Sequence, residues 1–119
     1  PELSPLRIDT VENGELDQAI AMNLAVLAWS PLGGGRIGDP QNAREQNVAA
    51  ALSAVATAHG VSRTTAAYSW IMAHPARPIP IVGSQNPARI AEAADAFKIQ
   101  WTRADWYSVL VAARGVPLP

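Results

Sequence analysis

The chain has 119 residues, no cysteine and a net charge of −1. The missing cysteines exclude disulfides, Cys-ligated zinc and a thiol nucleophile, and they suit a reducing compartment, so we expect a cytoplasmic protein. The near-neutral charge excludes the basic field that gathers nucleic acid or anionic lipid, and no apolar run reaches membrane-spanning length, so we expect no nucleic-acid or membrane partner.

The first segment predicts the end of a strand followed by a helix. Residues 2–4 could end a strand, and residues 6–13 have no regular pattern. Residues 15–22 have helical spacing with acidic side chains in the first turn, where they complement the helix dipole. The apolar face of this helix would consist of Leu16, Ala19 and Ile20.

The next segment predicts a buried strand and a glycine-rich loop. Residues 24–29 form a continuous apolar run, which is typical of a strand buried on both faces in a parallel sheet. Residues 30–36 then form a loop with three consecutive glycines. These glycines lack the spacing of a dinucleotide-binding fingerprint, and no Lys-Ser/Thr pair follows to make a P-loop.

Two helices are predicted after this loop. Residues 44–59 carry apolar residues at intervals of three and four, and Gly60 suits a C-terminal cap. Ser62 suits the N-cap of a second helix over residues 63–73, which Pro75 ends.

A short strand, a turn and a helix come next and organise the rest of the chain. Residues 79–82 are apolar and held extended by flanking prolines, and Asn86-Pro87 is a favourable helix start. The apolar stripe of this helix, which we predict to be buried, would consist of Ile90, Ala93, Ala94 and Phe97. Thr102 suits the N-cap of a last helix.

The turn over residues 83–86 is a candidate anion site. Free N–H groups and the positive end of the helix dipole would point into it, and Arg89 in the first turn could bind a phosphate with its guanidinium fork. The alternative is an ordinary strand-to-helix connection with a surface arginine. The residues alone favour this plainer interpretation.

The order of elements predicts an α/β fold. Strands that alternate with helices imply parallel pairing with right-handed crossovers. About three strands are present, which leaves two open edges and cannot close a barrel.

Four motifs, in order and over nearly the whole chain, resemble the aldo-keto reductases, most of all their bacterial branch. LAWSPLGGG (residues 27–35) resembles their seventh strand and loop, and HGVS with AAYSW (59–62 and 66–70) resembles the helix pair that follows. IPIVGS (79–84) with Arg89-Ile90 resembles the eighth strand and cofactor loop, and WTRADW (101–106) resembles the start of the final helix.

This resemblance implies the C-terminal portion of a (β/α)8 TIM barrel, from the end of strand six to strand eight plus the C-terminal helix. Residues 1–119 would be one segment, incomplete as a domain. The whole enzyme would reduce a small aldehyde or ketone with NADPH, and this segment would supply cofactor loops and barrel wall. The implied cofactor contacts are Ser30, Leu32, Gly33, Arg36, Gly83, Ser84, Gln85, Arg89 and Glu92.

Within this set, the resemblance implies that Arg89 binds the adenosine 2′-phosphate and that Glu92 contacts the edge of the adenine. Many relatives have Lys where this chain has Gly83, so the preference for NADPH over NADH stays open. The family's catalytic Asp, Tyr, Lys and His would come from earlier strands. We therefore predict no catalytic residue and no metal ligand in this chain.

Two other interpretations stay open. One is an inactive truncated fragment that associates with itself or with the missing N-terminal barrel segment. The exposed strand edges would favour this, and the barrel-facing sides of Val26, Ile79 and Ile81 would lose their cover. The other is a small non-catalytic module that binds a nucleotide or phosphate through the same two loops.

Overall fold

The structure is a computed structural model that describes residues 1–83 and 86–116. It contains a short parallel sheet with helices packed against one of its faces. None of the described helices is long and apolar enough to cross a membrane. The elements in chain order are α1 (Asp9–Glu12), α2 (Glu15–Ala21), β1 (Leu27–Ala28), α3 (Ala43–His59), α4 (Arg63–Met72), β2 (Ile79–Pro80), α5 (Pro87–Ala94), a 3₁₀ helix (Asp95–Lys98) and α6 (Arg103–Arg114).

The strands are parallel, as the alternation of elements predicts. Leu27 of β1 lies opposite Ile79 of β2. On the other side of β1, Glu2 forms a parallel bridge with Trp29, so the first residues pair as a strand end. Because α3 and α4 lie between β1 and β2 in the chain, the connection is a helical crossover. The predicted α/β fold is confirmed.

The backbone of β2 bonds to β1 through alternate residues. The N–H groups of Ile79 and Ile81 donate to carbonyl oxygens of residues 26 and 28 at 2.8 and 2.9 Å. Because successive residues of a strand point their backbone groups toward opposite edges, Pro78 and Pro80 face the other edge of β2.

The predicted helix starts are confirmed by their caps. The side-chain oxygens of Ser62, Asn86 and Thr102 each accept a hydrogen bond from a backbone N–H in the first turn of α4, α5 and α6. Gly60 ends α3 in the left-handed conformation, with φ of 67°. These signals are local, since each side-chain cap bonds within three residues of itself and the Gly60 N–H bonds to the preceding turn of α3.

A pair of tryptophans joins α4 to α6 in the core. The rings of Trp70 and Trp106 stack with centroids 4.7 Å apart and an interplanar angle of 9°. The indole N–H of Trp70 donates to the backbone carbonyl of Trp106 at 3.0 Å, and that of Trp106 donates to the carbonyl of Trp70 at 2.9 Å. The stack and the reciprocal bonds fix the position of α4, which lines the cleft described below.

The prediction that residues 24–29 are buried on both faces is wrong. Val26 and Ala28 are buried against the helices, whereas Leu27 and Trp29 are 53% and 52% exposed. A strand is buried on both faces only when layers cover both sides, and the described helices cover one. Val26 also keeps its cover, contrary to expectation. Ile79 and Ile81 are exposed as expected, and with Leu27 and Trp29 they form what we call the apolar sheet face.

The predicted apolar stripe of the α5 segment is also wrong. No residue of α5 is buried, and Phe97 in the following 3₁₀ helix is 81% exposed. In α2, Ile20 is exposed while Leu16 and Ala19 are buried as predicted. The segment 6–13, predicted as irregular, contains the one-turn helix α1. Periodicity identifies an apolar side of a helix but not whether anything packs against it.

Candidate functional site

The loop after β1 turns sharply at the carboxyl end of the strand. Ser30 has a positive φ of 51°, an uncommon conformation for a residue with a side chain, and it recurs at Gly33, Gly34 and Gly35. The N–H of Gly33 donates to the carbonyl of Ser30 at 3.0 Å and closes the first turn. A Cβ atom at Gly33 would lie 3.0 Å from the side chain of Leu6, so the loop packs closely there.

The turn after β2 leads directly into α5. The Asn86 side chain accepts a hydrogen bond from the Ala88 N–H at 3.0 Å, and Pro87 is the first helical residue, as predicted. Arg89 therefore lies in the first turn, with its side chain exposed. Two predicted contacts, Ser84 and Gln85, lie outside the described residues.

These two loops line one cleft of about 470 Å³. It brings together four of the predicted cofactor contacts, which are Ser30, Leu32, Gly83 and Arg89. Its other described lining residues are Pro31, Gly34, Gly35, Tyr68 and Ile81. The cleft thus lies at the carboxyl ends of β1 and β2, where α/β folds bind ligands, and Arg89 gives it a positive charge.

Arg36, a fifth predicted contact, is directed elsewhere. Its Nε donates to the Oε1 atom of Glu45 at 2.8 Å, and the Gln41 N–H donates to the same oxygen at 2.8 Å. Glu45 is only 7% exposed. The Gln41 bond and then Arg36 lower the pKa of Glu45 against the opposing effect of burial. This pair fastens the loop to the start of α3. Neither Arg36 nor Gly33 is among the residues that line the cleft.

Glu92 connects α5 to α4. Its carboxylate accepts a hydrogen bond from the Ser62 hydroxyl, and its backbone carbonyl accepts one from the Thr65 hydroxyl at 2.8 Å. Glu92 is also not among the cleft-lining residues. The structure thus gives this predicted adenine contact a role in holding two helices together.

Tyr68 lines the cleft although it is not among the cofactor contacts that the family resemblance implies. It is only 4% exposed, and burial followed by the charge of Glu92 raises its pKa, while Arg89 acts in the opposite direction. Tyr68 belongs to the AAYSW motif of the helix pair, but that motif does not indicate a contact with the loops, because its approach to them depends on how α4 packs.

The two histidines and the lysine of the chain are engaged locally. His59 bonds through Nδ1 to the Val55 carbonyl at 2.9 Å, and Nδ1 of His74 accepts from the Ala76 N–H at 3.0 Å. Lys98 pairs with Asp95 at 3.1 Å. A search of residues 1–83 and 86–116 finds no group of three metal-ligating side chains.

Parallel strands joined by helices, with a cleft at their carboxyl ends, are features of the α/β folds, both barrels and open sheets. The chain superposes on the crystal structure of a thermostable aldo-keto reductase in complex with the inhibitor epalrestat, with a TM-score of 0.79 and 16% identity. The match covers 93% of this chain and 38% of that one. This likeness confirms the fold as a part of such a barrel.

The sequence identifies the family. The family model for the aldo/keto reductases matches residues 1–110, and the chain belongs to this family. It is 67% identical over 119 residues to a 6-dehydroglucose reductase of Novosphingobium aromaticivorans and 35% identical over 114 residues to one of Agrobacterium fabrum. The matches cover 100% and 96% of this chain but only 39% and 37% of those relatives.

Proposed function

We propose that this chain is the cofactor-binding part of a reductase that uses NADPH to reduce aldehydes or ketones. The observation that carries the proposal is that the loops after β1 and β2 share one cleft, which Arg89 also lines. Membership of the aldo/keto reductase family supports the reaction class. The cofactor carries the hydride, and this chain binds and orients it.

The start of α5 suits the adenosine 2′-phosphate of NADPH. The prediction of free N–H groups is wrong for the first turn of α5, because Pro87 has no N–H and the N–H groups of residues 88–90 already donate to Asn86. The backbone there contributes the positive potential of the helix dipole. Arg89 adds a guanidinium that can form two parallel bonds to a phosphate. The dipole and the side-chain charge therefore act on the same anion.

The partners in this proposal are a small carbonyl substrate and the remaining barrel segment. The apolar sheet face supports the second, because further barrel strands would cover Leu27, Trp29, Ile79 and Ile81. That segment would contribute the acid and its supporting residues. Self-association through the same face is the competing arrangement. We place the enzyme in the cytoplasm, given its cysteine-free composition.

The substrate is to be sought first among the carbonyl compounds that relatives reduce. Because the relative at 67% identity is named a 6-dehydroglucose reductase, 6-dehydroglucose is the first compound to test. Oxidation of NADPH by the full-length protein in its presence would support the proposal.

Substitution of Arg89 tests the cofactor site. In the full-length protein, Arg89→Ala should weaken NADPH binding by about 1.5–3 kcal/mol, the range for hydrogen bonds to charged groups. NADH, which has no 2′-phosphate, should be affected much less. The measurement is a pair of cofactor titrations at fixed salt. The matched control is Arg103→Ala, which removes an exposed arginine that lies over the Tyr107 ring, 5.4 Å from its centroid.

The outcomes separate the roles of Arg89. Equal losses for both cofactors would mean that Arg89 only supports α5. An unchanged affinity for both would mean that the phosphate binds elsewhere and that this assignment is wrong.

A further inference from the structure

We propose that Tyr68 is a specificity-determining residue of this cleft. Its hydroxyl donates a hydrogen bond to the adenosine 2′-phosphate that Arg89 binds. This inference rests on the proposed function of the cleft. Tyr68 would favour NADPH over NADH, because only NADPH carries that phosphate. It lies outside the set of contacts that the family resemblance implies.

The position of Tyr68 supports this role. It lines the same cleft as Ser30, Gly83 and Arg89, but it comes from α4, whereas they belong to the two loops and the first turn of α5. Tyr68 is only 4% exposed, so its ring forms part of the wall. The hydroxyl is the polar atom by which Tyr68 differs from a phenylalanine, so it is the group that could bind a polar ligand in the cleft.

Contacts between α4 and α5 hold the Tyr68 ring in place relative to Arg89. Ser62 and Thr65 of the α4 start both bond to Glu92 of α5. Tyr68 follows Thr65 by three residues, and residues at this spacing are neighbours on a helix surface. The two helices that carry the phenol and the guanidinium therefore form one bonded unit.

The charges around Tyr68 make it a hydrogen-bond donor. Burial and the carboxylate of Glu92 raise the pKa of the phenol, and Arg89 opposes them without reversing the shift. The phenol is therefore protonated at neutral pH, and a bound phosphate would favour the protonated form further. A phosphate dianion can only accept hydrogen bonds. The positive charge of Arg89 and the neutral hydroxyl donor of Tyr68 are therefore complementary to it.

Tyr68→Phe in the full-length protein tests this inference. It keeps the ring and removes the hydroxyl. We expect the Kd for NADPH to rise about tenfold and the Kd for NADH to change by less than about twofold, since a tenfold change corresponds to about 1.4 kcal/mol, within the range for bonds to charged groups. Adenosine 2′-monophosphate and adenosine should show the same contrast as probes without the nicotinamide. The control is Tyr107→Phe, since Tyr107 is the chain's other tyrosine and lies on α6, outside the described cleft lining.

Four results would overturn the inference. Equal weakening of both cofactors would assign Tyr68 to packing of the wall, and unchanged affinities would mean that the hydroxyl does not contact the phosphate. If the wild-type protein bound neither cofactor, the proposed function would fail as well. Should Tyr68→Phe not fold, Tyr68→His, which keeps a ring and an N–H donor, must retain the NADPH preference, and its loss would equally overturn the inference.

Discussion

Trp106→Phe should destabilise the protein without changing its cofactor preference. The indole of Trp106 stacks on Trp70 and donates to the backbone carbonyl of that residue at 2.9 Å. Phenylalanine keeps a smaller ring and loses the donor. Loss of one hydrogen bond costs about 0.5–1.5 kcal/mol, and loss of a stacked aromatic pair costs about as much. The two losses together give about 1–3 kcal/mol, and because phenylalanine keeps part of the stack, we expect a decrease of about 1–2 kcal/mol in the free energy of unfolding.

The hydrogen bond from the Trp70 indole to the backbone of residue 106 limits the loss of stability. The indole N–H of Trp70 donates to a backbone carbonyl at residue 106, which any side chain there leaves in place. The substitution should therefore shift the urea midpoint while the slope of the transition stays unchanged. Tyr107→Phe is the control. Its ring meets Trp106 edge-on at 5.3 Å and is retained, so the change should stay below about 0.5 kcal/mol.

Equal stabilities of Trp106→Phe and wild type in urea would refute this reasoning, because they would show that neither the stack nor the donor holds α6 to α4. A loss of the NADPH preference in the same variant would show that the cleft depends on this contact for more than stability.

Two further substitutions test local contacts. Thr102→Ala removes the oxygen that accepts from the Asp105 N–H and should cost about 1 kcal/mol in thermal unfolding, and an unchanged melting temperature would contradict the role of this cap. Gln41 and Arg36 lower the pKa of Glu45, so its ionised form stabilises the fold above the usual carboxyl pKa, and this contribution is lost as the pH falls through the lowered value. Glu45→Gln should therefore weaken the dependence of stability on pH in this acid range, and an unaltered dependence would show that Glu45 contributes nothing there.

Helix starts could be predicted from the sequence because their causes are local, and the parallel direction of the strands could be predicted because helices separate them in the chain. Ser62, Asn86 and Thr102 bond within three residues, so a short motif contains the whole interaction. The long apolar run before Ser30 marks a strand, and the helices after it require a parallel partner. The position of Arg89 in the first turn of α5 followed from the same local signals.

The orientation of individual side chains could not be predicted in this way. Arg36 meets Glu45 nine residues later, and Glu92 meets Ser62 across thirty. Tyr68 reaches the cleft only because α4 packs where it does. Burial also depends on the neighbouring layer. The exposure of Phe97 and of the apolar sheet face is therefore a property of the packing rather than of the residues.

Pro80 of β2 and Pro78 just before it determine what can pair with the edge of β2 that faces away from β1. Pro78 and Pro80 face this edge and have no N–H, so over these positions the edge has carbonyl acceptors and no donors. An incoming strand must provide the amides itself. A second copy of the same edge would place carbonyl against carbonyl, which opposes the self-templated stacking that leads to cross-β fibrils. This edge therefore disfavours pairing with a second copy of itself. It favours pairing with a different strand that provides N–H donors.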